Sequence, residues 1–136
     1  MRRAAALGAV AAALLTAGCG GILAPDLFVV YRTGPGAARL TLLVNEEGAV
    51  HCNGVSAPKL GDSQLVQARA IQEELHDAAS RRLSLPAAPG SVIAYYVREE
   101  AGTVRFSDNS PRQPVVLRRL ALFVLQAAQQ VCHLPQ

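Results

Sequence analysis

From residue 27 onward the apolar residues change their period repeatedly, and that rhythm restricts the fold more than any other property of the chain. Leu27–Arg32 (LFVVYR) and Arg39–Asn45 (RLTLLVN) are rich in β-branched and aromatic residues and read as strands. Between them Thr33-Gly34-Pro35-Gly36 is a breaker. Glu46-Glu47-Gly48 reads as a hairpin turn, with Ala49–Cys52 returning, and Asn53–Gly61 reads as loop. The period then lengthens. Leu65, Ala68, Ile71, Leu75 and Ala78 or Ala79 fall three and four apart, the spacing of one helix face. Asp62 or Ser63 is the expected cap, and Arg81 and Arg82 fall at the negative end of the helix dipole.

The same sequence of periods follows again. Leu85–Gly90 (LPAAPG) is a linker, and Val92–Arg98 and Thr103–Ser107 form a hairpin around Glu99-Glu100-Ala101-Gly102. After a loop at Ser110–Gln113, Pro114 fits the start of a second helix, where a missing N–H costs nothing. Val116, Leu117, Leu120, Val124, Ala127, Ala128 and Val131 give that helix a broad apolar face, so it should be the more buried of the two. Arg118 and Arg119 interrupt it, which excludes a membrane span. The expected fold is α+β: an antiparallel sheet of four to five strands, two helices on one face, in a ββαββα-like order. LLVNEEGAVHC and YYVREEAGTVRF share Val, Glu-Glu, Gly and Val. Duplication and convergence of two acidic hairpins both account for this.

The first residues read as an address. Arg2 and Arg3 precede an apolar run of 12 residues, Ala4–Leu15, too short to span a bilayer but suited to a signal peptide. The run ends in Leu15-Thr16-Ala17-Gly18-Cys19, which resembles the lipobox of bacterial lipoproteins. The resemblance implies cleavage before Cys19 and acylation of its thiol. Residues 1–18 would be the signal peptide, 19–25 a lipidated tether, and 26–136 a single domain. Each buried acyl CH₂ contributes about 0.8 kcal/mol to anchoring. The tether reaches about 20 Å when extended. The domain would therefore stand at the cell membrane on its extracytoplasmic face. The LTLLV…VHCNG hairpin and the late cysteine-bearing helix are similar to those of small actinobacterial envelope lipoproteins, a likeness that carries no activity with it.

With Cys19 assigned by that resemblance, two of the three cysteines remain, in an oxidising setting. Cys52 and Cys132 are expected to form a disulfide. The alternative is a reactive or metal-binding thiol at Cys52 beside His51. The disulfide sets the faces, because side chains alternate along a strand. Cys52 and Val50 point to the helices, and His51 points away. Tyr96, Arg98 and Arg105 should join His51 on the uncovered face. That face is a candidate binding surface for an envelope protein or a wall component, or else the ordinary solvated side of the sheet.

Charge narrows the partners. The chain carries 13 Lys and Arg against 10 Asp and Glu. Two of the basic residues would leave with the leader, so the balance is close to neutral and does not suit a nucleic-acid binder. Ser56-Ala57-Pro58-Lys59 and Ser107-Asp108-Asn109 match two motifs of penicillin-binding proteins, but the chain is far too short for that fold. His51, His76 and His133 have no metal-ligand spacing, and His76 is expected to be solvated. No cofactor is implied. The reading is a membrane-anchored envelope protein whose domain is a non-enzymatic binding or accessory module. A small extracellular hydrolase and an inhibitor subunit of an envelope complex are the alternatives.

Overall fold

A computed structural model describes residues 23–135. The expected signal peptide, residues 1–18, and Cys19 lie outside the described residues. Six strands form one antiparallel sheet: β1 (Asp26–Thr33), β2 (Leu40–Asn45), β3 (Val50–Cys52), β4 (Val55–Ala57), β5 (Ala94–Glu99) and β6 (Gly102–Ser107). Two helices, α1 (Asp62–Ser80) and α2 (Val115–Gln130), complete an α+β fold in the order ββββαββα. Across the sheet the strands run β4-β3-β2-β1-β5-β6.

The expected four to five strands become six because Asn53–Gly61 is not all loop. Asn53 and Gly54 both take positive φ, 53° and 81°, and join Cys52 directly to its partner Val55. A two-residue turn of this kind follows the right-handed twist of the flanking strands. Ser56, read as a loop residue, is therefore the centre of β4. The linker is also more ordered than its Pro and Gly content suggests. Leu85 N–H donates to Arg105 O and Arg105 N–H to Leu83 O, both at 2.9 Å, which covers the outer edge of β6.

The registers sort the residues by face. Phe28, Val44 and Val50 form one cross-strand row. Val30 aligns with Leu42 and with Val97, which in turn faces Val104. All seven are buried in one core with Ala68, Ile71 and Leu75 of α1 and Leu117, Leu120 and Val124 of α2, so both helices cover the same side. The rings of Phe28 and Phe123 meet edge to face at 5.9 Å between centroids, an arrangement the ring quadrupoles favour. The core is otherwise aliphatic, with Tyr95 stacked on Phe106 at 4.7 Å near its margin.

The helices run in opposite directions across the sheet. α1 starts where Leu65 approaches Gly48 in the β2–β3 turn, and ends where Ala79 O lies against Gly102. Its cap is Gly61, not Asp62 or Ser63, and the Gly61 N–H donates to Gln64 Oε1 at 3.1 Å. α2 returns with Pro114 as its cap rather than its first residue, so the helix begins one position later than expected. An Arg119–Glu74 ion pair and a Gln64–Gln130 hydrogen bond join the two helices. Beyond α2, Cys132 is bonded to Cys52 at the end of β3, with Cα atoms 5.8 Å apart. The disulfide thus clips the second helix to the sheet. Among the described residues no helix is long and apolar enough to cross a membrane.

Candidate functional site

The face of the sheet away from the helices holds His51, Tyr96, Arg98 and Arg105, and the registers divide them. Tyr96 faces Arg105 on β6 and Tyr31 on β1. Arg98 lies between Val29 and Thr103 in the neighbouring row. His51 shares that second row, but Leu43 and Val29 separate it from Arg98. Three strand spacings put it roughly 14 Å away. Tyr96, Arg98 and Arg105 are thus a group, and His51 is a separate feature near the β4 edge.

The group has a defined geometry. Tyr31 and Tyr96 stack with centroids 5.6 Å apart and an interplanar angle of 29°. The Arg105 guanidinium carbon lies 4.4 Å from the centroid of the Tyr96 ring. A cation over an aromatic face is attracted by the ring quadrupole, by about 0.5–1 kcal/mol where solvent reaches it. Tyr31 was not among the residues singled out from sequence. Its alternation with Phe28 and Val30 places it on this face, but pairing it with Tyr96 requires the register of two strands more than sixty residues apart in sequence.

Beside this ladder is a groove of about 430 Å³. Tyr31, Tyr96 and Arg105 line it, with Ser84 bridged to Arg105 beyond the β6 edge and Leu85 and Ala87 next to it. Thr33 and Ala94 line it from the neighbouring row. The linker is held by the Ser107-Asp108-Asn109 segment. Asp108 accepts hydrogen bonds from Ser91 Oγ at 2.9 Å and from the N–H groups of Val92 and Ile93. The Asn109 amide accepts from Ala88 N–H and donates to Ala88 O and Pro89 O. Desolvation pushes the Asp108 carboxyl up. Hydrogen bonds from the Ser91 hydroxyl and the N–H groups of Val92, Ile93 and Asn109 outweigh that and hold its pKa below the ordinary value. The motif that looks catalytic in sequence is a lock on the backbone.

Near the β4 edge, register brings Ser56 opposite His51, with Ser56 Oγ and His51 Nε2 3.3 Å apart. These are the atoms of a nucleophile and a base. Among the described residues no ion pair with a carboxylate orients the His51 ring. A separate apolar hollow of about 300 Å³ lies at the end of α2, between Ile93, Leu125, Ala128 and Leu134, with the buried Arg32 at its side. Arg32 Nε–H donates to Ala38 O.

Glu99, read from sequence as part of the hairpin turn, is instead the last residue of β5 and is buried. Its side chain is 1% exposed, and its carboxylate accepts from Gln72 Nε2 at 3.2 Å and from Ala101 N–H at 3.0 Å. His76 is exposed as expected, its side chain 61% accessible, with Nδ1 3.8 Å from Glu99 Oε1. The described residues hold no group of three or more His, Cys, Asp or Glu placed to bind a metal ion. Cys52 is committed to the disulfide.

In comparisons with known proteins, no family model, no curated protein and no solved structure matched this chain.

Proposed function

We propose that this chain is a lipid-anchored protein of the bacterial cell envelope. Its domain is a binding or accessory module held at the extracytoplasmic face of the membrane through Cys19. The observation that carries this reading is the Cys52–Cys132 disulfide. A structural disulfide belongs to an oxidising compartment, and it takes two of the three cysteines. The third stands in the lipobox-like segment Leu15–Cys19. The Tyr31–Tyr96–Arg105 ladder on the uncovered face supports a binding role, because Tyr and Arg supply contact area and directed polar groups at interfaces.

Expression of Cys19→Ala in a bacterial host that acylates lipoproteins tests the anchor. The native sequence should fractionate with membranes and carry a mass increment of diacylglycerol or more on residue 19. The variant should leave the membrane fraction. Membrane retention of Cys19→Ala, or an unmodified Cys19 in the mature native product, would overturn the reading.

One observation favours a hydrolase as the second reading, the 3.3 Å approach of Ser56 Oγ to His51 Nε2. A fluorophosphonate probe separates the two. Labelling at Ser56 that is lost in His51→Ala would establish the hydrolase. An unlabelled Ser56 leaves the pair as an ordinary cross-strand contact.

A further inference from the structure

We infer that the groove beside the Tyr31–Tyr96–Arg105 ladder binds an anionic saccharide, a sugar chain bearing carboxylate groups. This deepens the binding-module reading and rests on it. The first ground is the distribution of charge. Every Asp and Glu except Asp108 falls on α1, at the first residue of β1, or in and next to the turns after β2 and β5. Those turns and the start of β1 lie at one end of the sheet. Apart from Asp26 at the start of β1, which pairs with Asn45 beside Leu43 and His51, the strand residues of the uncovered face include no carboxylate. They carry Arg98 and Arg105, both exposed. The remaining acid, Asp108, has its charge taken up by the backbone N–H groups of the linker. An approaching anion therefore meets guanidinium groups with no acidic neighbour in their rows, and charge complementarity of this kind selects partners and speeds encounter.

The second ground is the shape and lining of the groove. Tyr31 and Tyr96 stack across neighbouring strands, so ring edges border the groove. Those edges carry the positive part of the aromatic quadrupole. The Arg105 guanidinium continues the row, its carbon 4.4 Å from the centroid of the Tyr96 ring. Ser84, bridged to Arg105, and the small Ala87 continue the lining past the β6 edge, and Thr33 and Ala94 line the neighbouring row. This surface offers hydroxyl partners and shallow apolar area but no deep pocket for a bulky anchor side chain, which protein partners use for most of their binding energy. A sugar ring is flat, rimmed with hydroxyls and weakly apolar on its faces. With one carboxylate for Arg105 in the groove and another for Arg98 in the adjoining row, a chain of such sugars matches this surface.

The test is a titration of the mature lipidated protein in non-ionic detergent. Three probes of similar length separate charge from sugar: oligogalacturonate, maltohexaose and hexaglutamate. Oligogalacturonate should bind, and affinity should fall as salt rises. Maltohexaose and hexaglutamate should each bind at least tenfold more weakly. Arg98→Ala/Arg105→Ala should lower oligogalacturonate affinity at least tenfold, and Tyr96→Phe should retain it. If the double variant loses its cooperative melting transition, Arg105→Gln alone, on the exposed side chain that lines the groove, gives the same readout with a smaller loss. Equal binding of hexaglutamate would make the occupant an acidic peptide and overturn the inference. So would a folded protein that binds no oligogalacturonate, or binding indifferent to the arginines. Fractionation of Cys19→Ala reads the anchor without any saccharide, so either claim can fail while the other stands.

Discussion

Gly102 occupies a position that no other residue can fill without moving backbone. Its φ is 155°, and a Cβ built there would lie 2.3 Å from Ala79 O at the end of α1. The obstacle is a main-chain carbonyl, not a flexible side chain, so the β5–β6 turn or the end of α1 must shift. Gly102→Ala should cost at least about 2 kcal/mol, in the range of strained-backbone and overpacking substitutions. Urea unfolding measures it, and a loss under 0.5 kcal/mol would show that the turn gives way freely. Asp108 is a second such residue, with a pH signature. Its folded pKa lies below the ordinary 3.8. A depressed carboxyl contributes stability that is present above the unfolded value and is lost as pH falls through the folded one. Asp108→Asn should therefore be less stable than the native protein at pH 7, by no more than about 0.5–1 kcal/mol, because solvent screens an exposed charge. The gap should close as the pH is lowered from 4 to 2. A gap that stays constant over that interval would mean that the carboxylate charge contributes nothing to holding Val92 and Ile93.

At the scale of elements, what could be read from sequence depended on the length of the pattern. α1 and α2 each span several turns, and the stripes Ala68–Ile71–Leu75 and Leu117–Leu120–Val124 fall inside as their spacing requires. The three residues of β4 are too few to show alternation. The legible signal was the Asn53-Gly54 dipeptide, the residues a tight two-residue turn demands. β5 begins at Ala94 rather than Val92 because Asp108 takes the N–H groups of Val92 and Ile93. A competition with a side chain fifteen residues away leaves no local trace. The faces of the sheet were legible, since parity along a strand has only two values; the separation of His51 from Arg98 was not, since it depends on strand order. The end of α1 carries a prediction of its own. Arg82 has φ 53°, and this left-handed residue lets Leu83 N–H return to Ala78 O at 2.9 Å. Glycine enters that conformation without the Cβ conflict of about 1–2 kcal/mol. Arg82→Gly should hold or raise the melting temperature, whereas glycine at an ordinary exposed helical site lowers it. A fall of several degrees would show that the Arg82 side chain holds something more than its turn.

For the molecule as a whole, the disulfide decides how the layers stay together. It spans a sequence separation of 80 and encloses β4, α1, β5, β6 and α2, leaving β1 and β2 outside the loop. Closing a loop of that size in the unfolded chain is worth roughly 4.5 kcal/mol on the chain-entropy model. A domain of this length has a net stability of about 5–15 kcal/mol, so one covalent bond supplies a large share. The bond also joins parts that are otherwise loosely connected. β3 is only three residues long and lies next to the short edge strand β4. Without the bond, the end of α2 keeps its contacts with the core through Ala127, Ala128 and Val131 but loses its covalent link to that margin. Cys52→Ala/Cys132→Ala should unfold at a lower denaturant midpoint, with a loss of about 2–4 kcal/mol, while its far-ultraviolet circular dichroism stays close to native. Fraying should concentrate at the margin: amide exchange in β3, β4 and the last turn of α2 should quicken well before that of β1 or β5. A midpoint unmoved by the double substitution would mean that the aliphatic core alone sets the stability, and uniform quickening across the sheet would mean that the bond acts on the unfolded chain and not on the edge it joins.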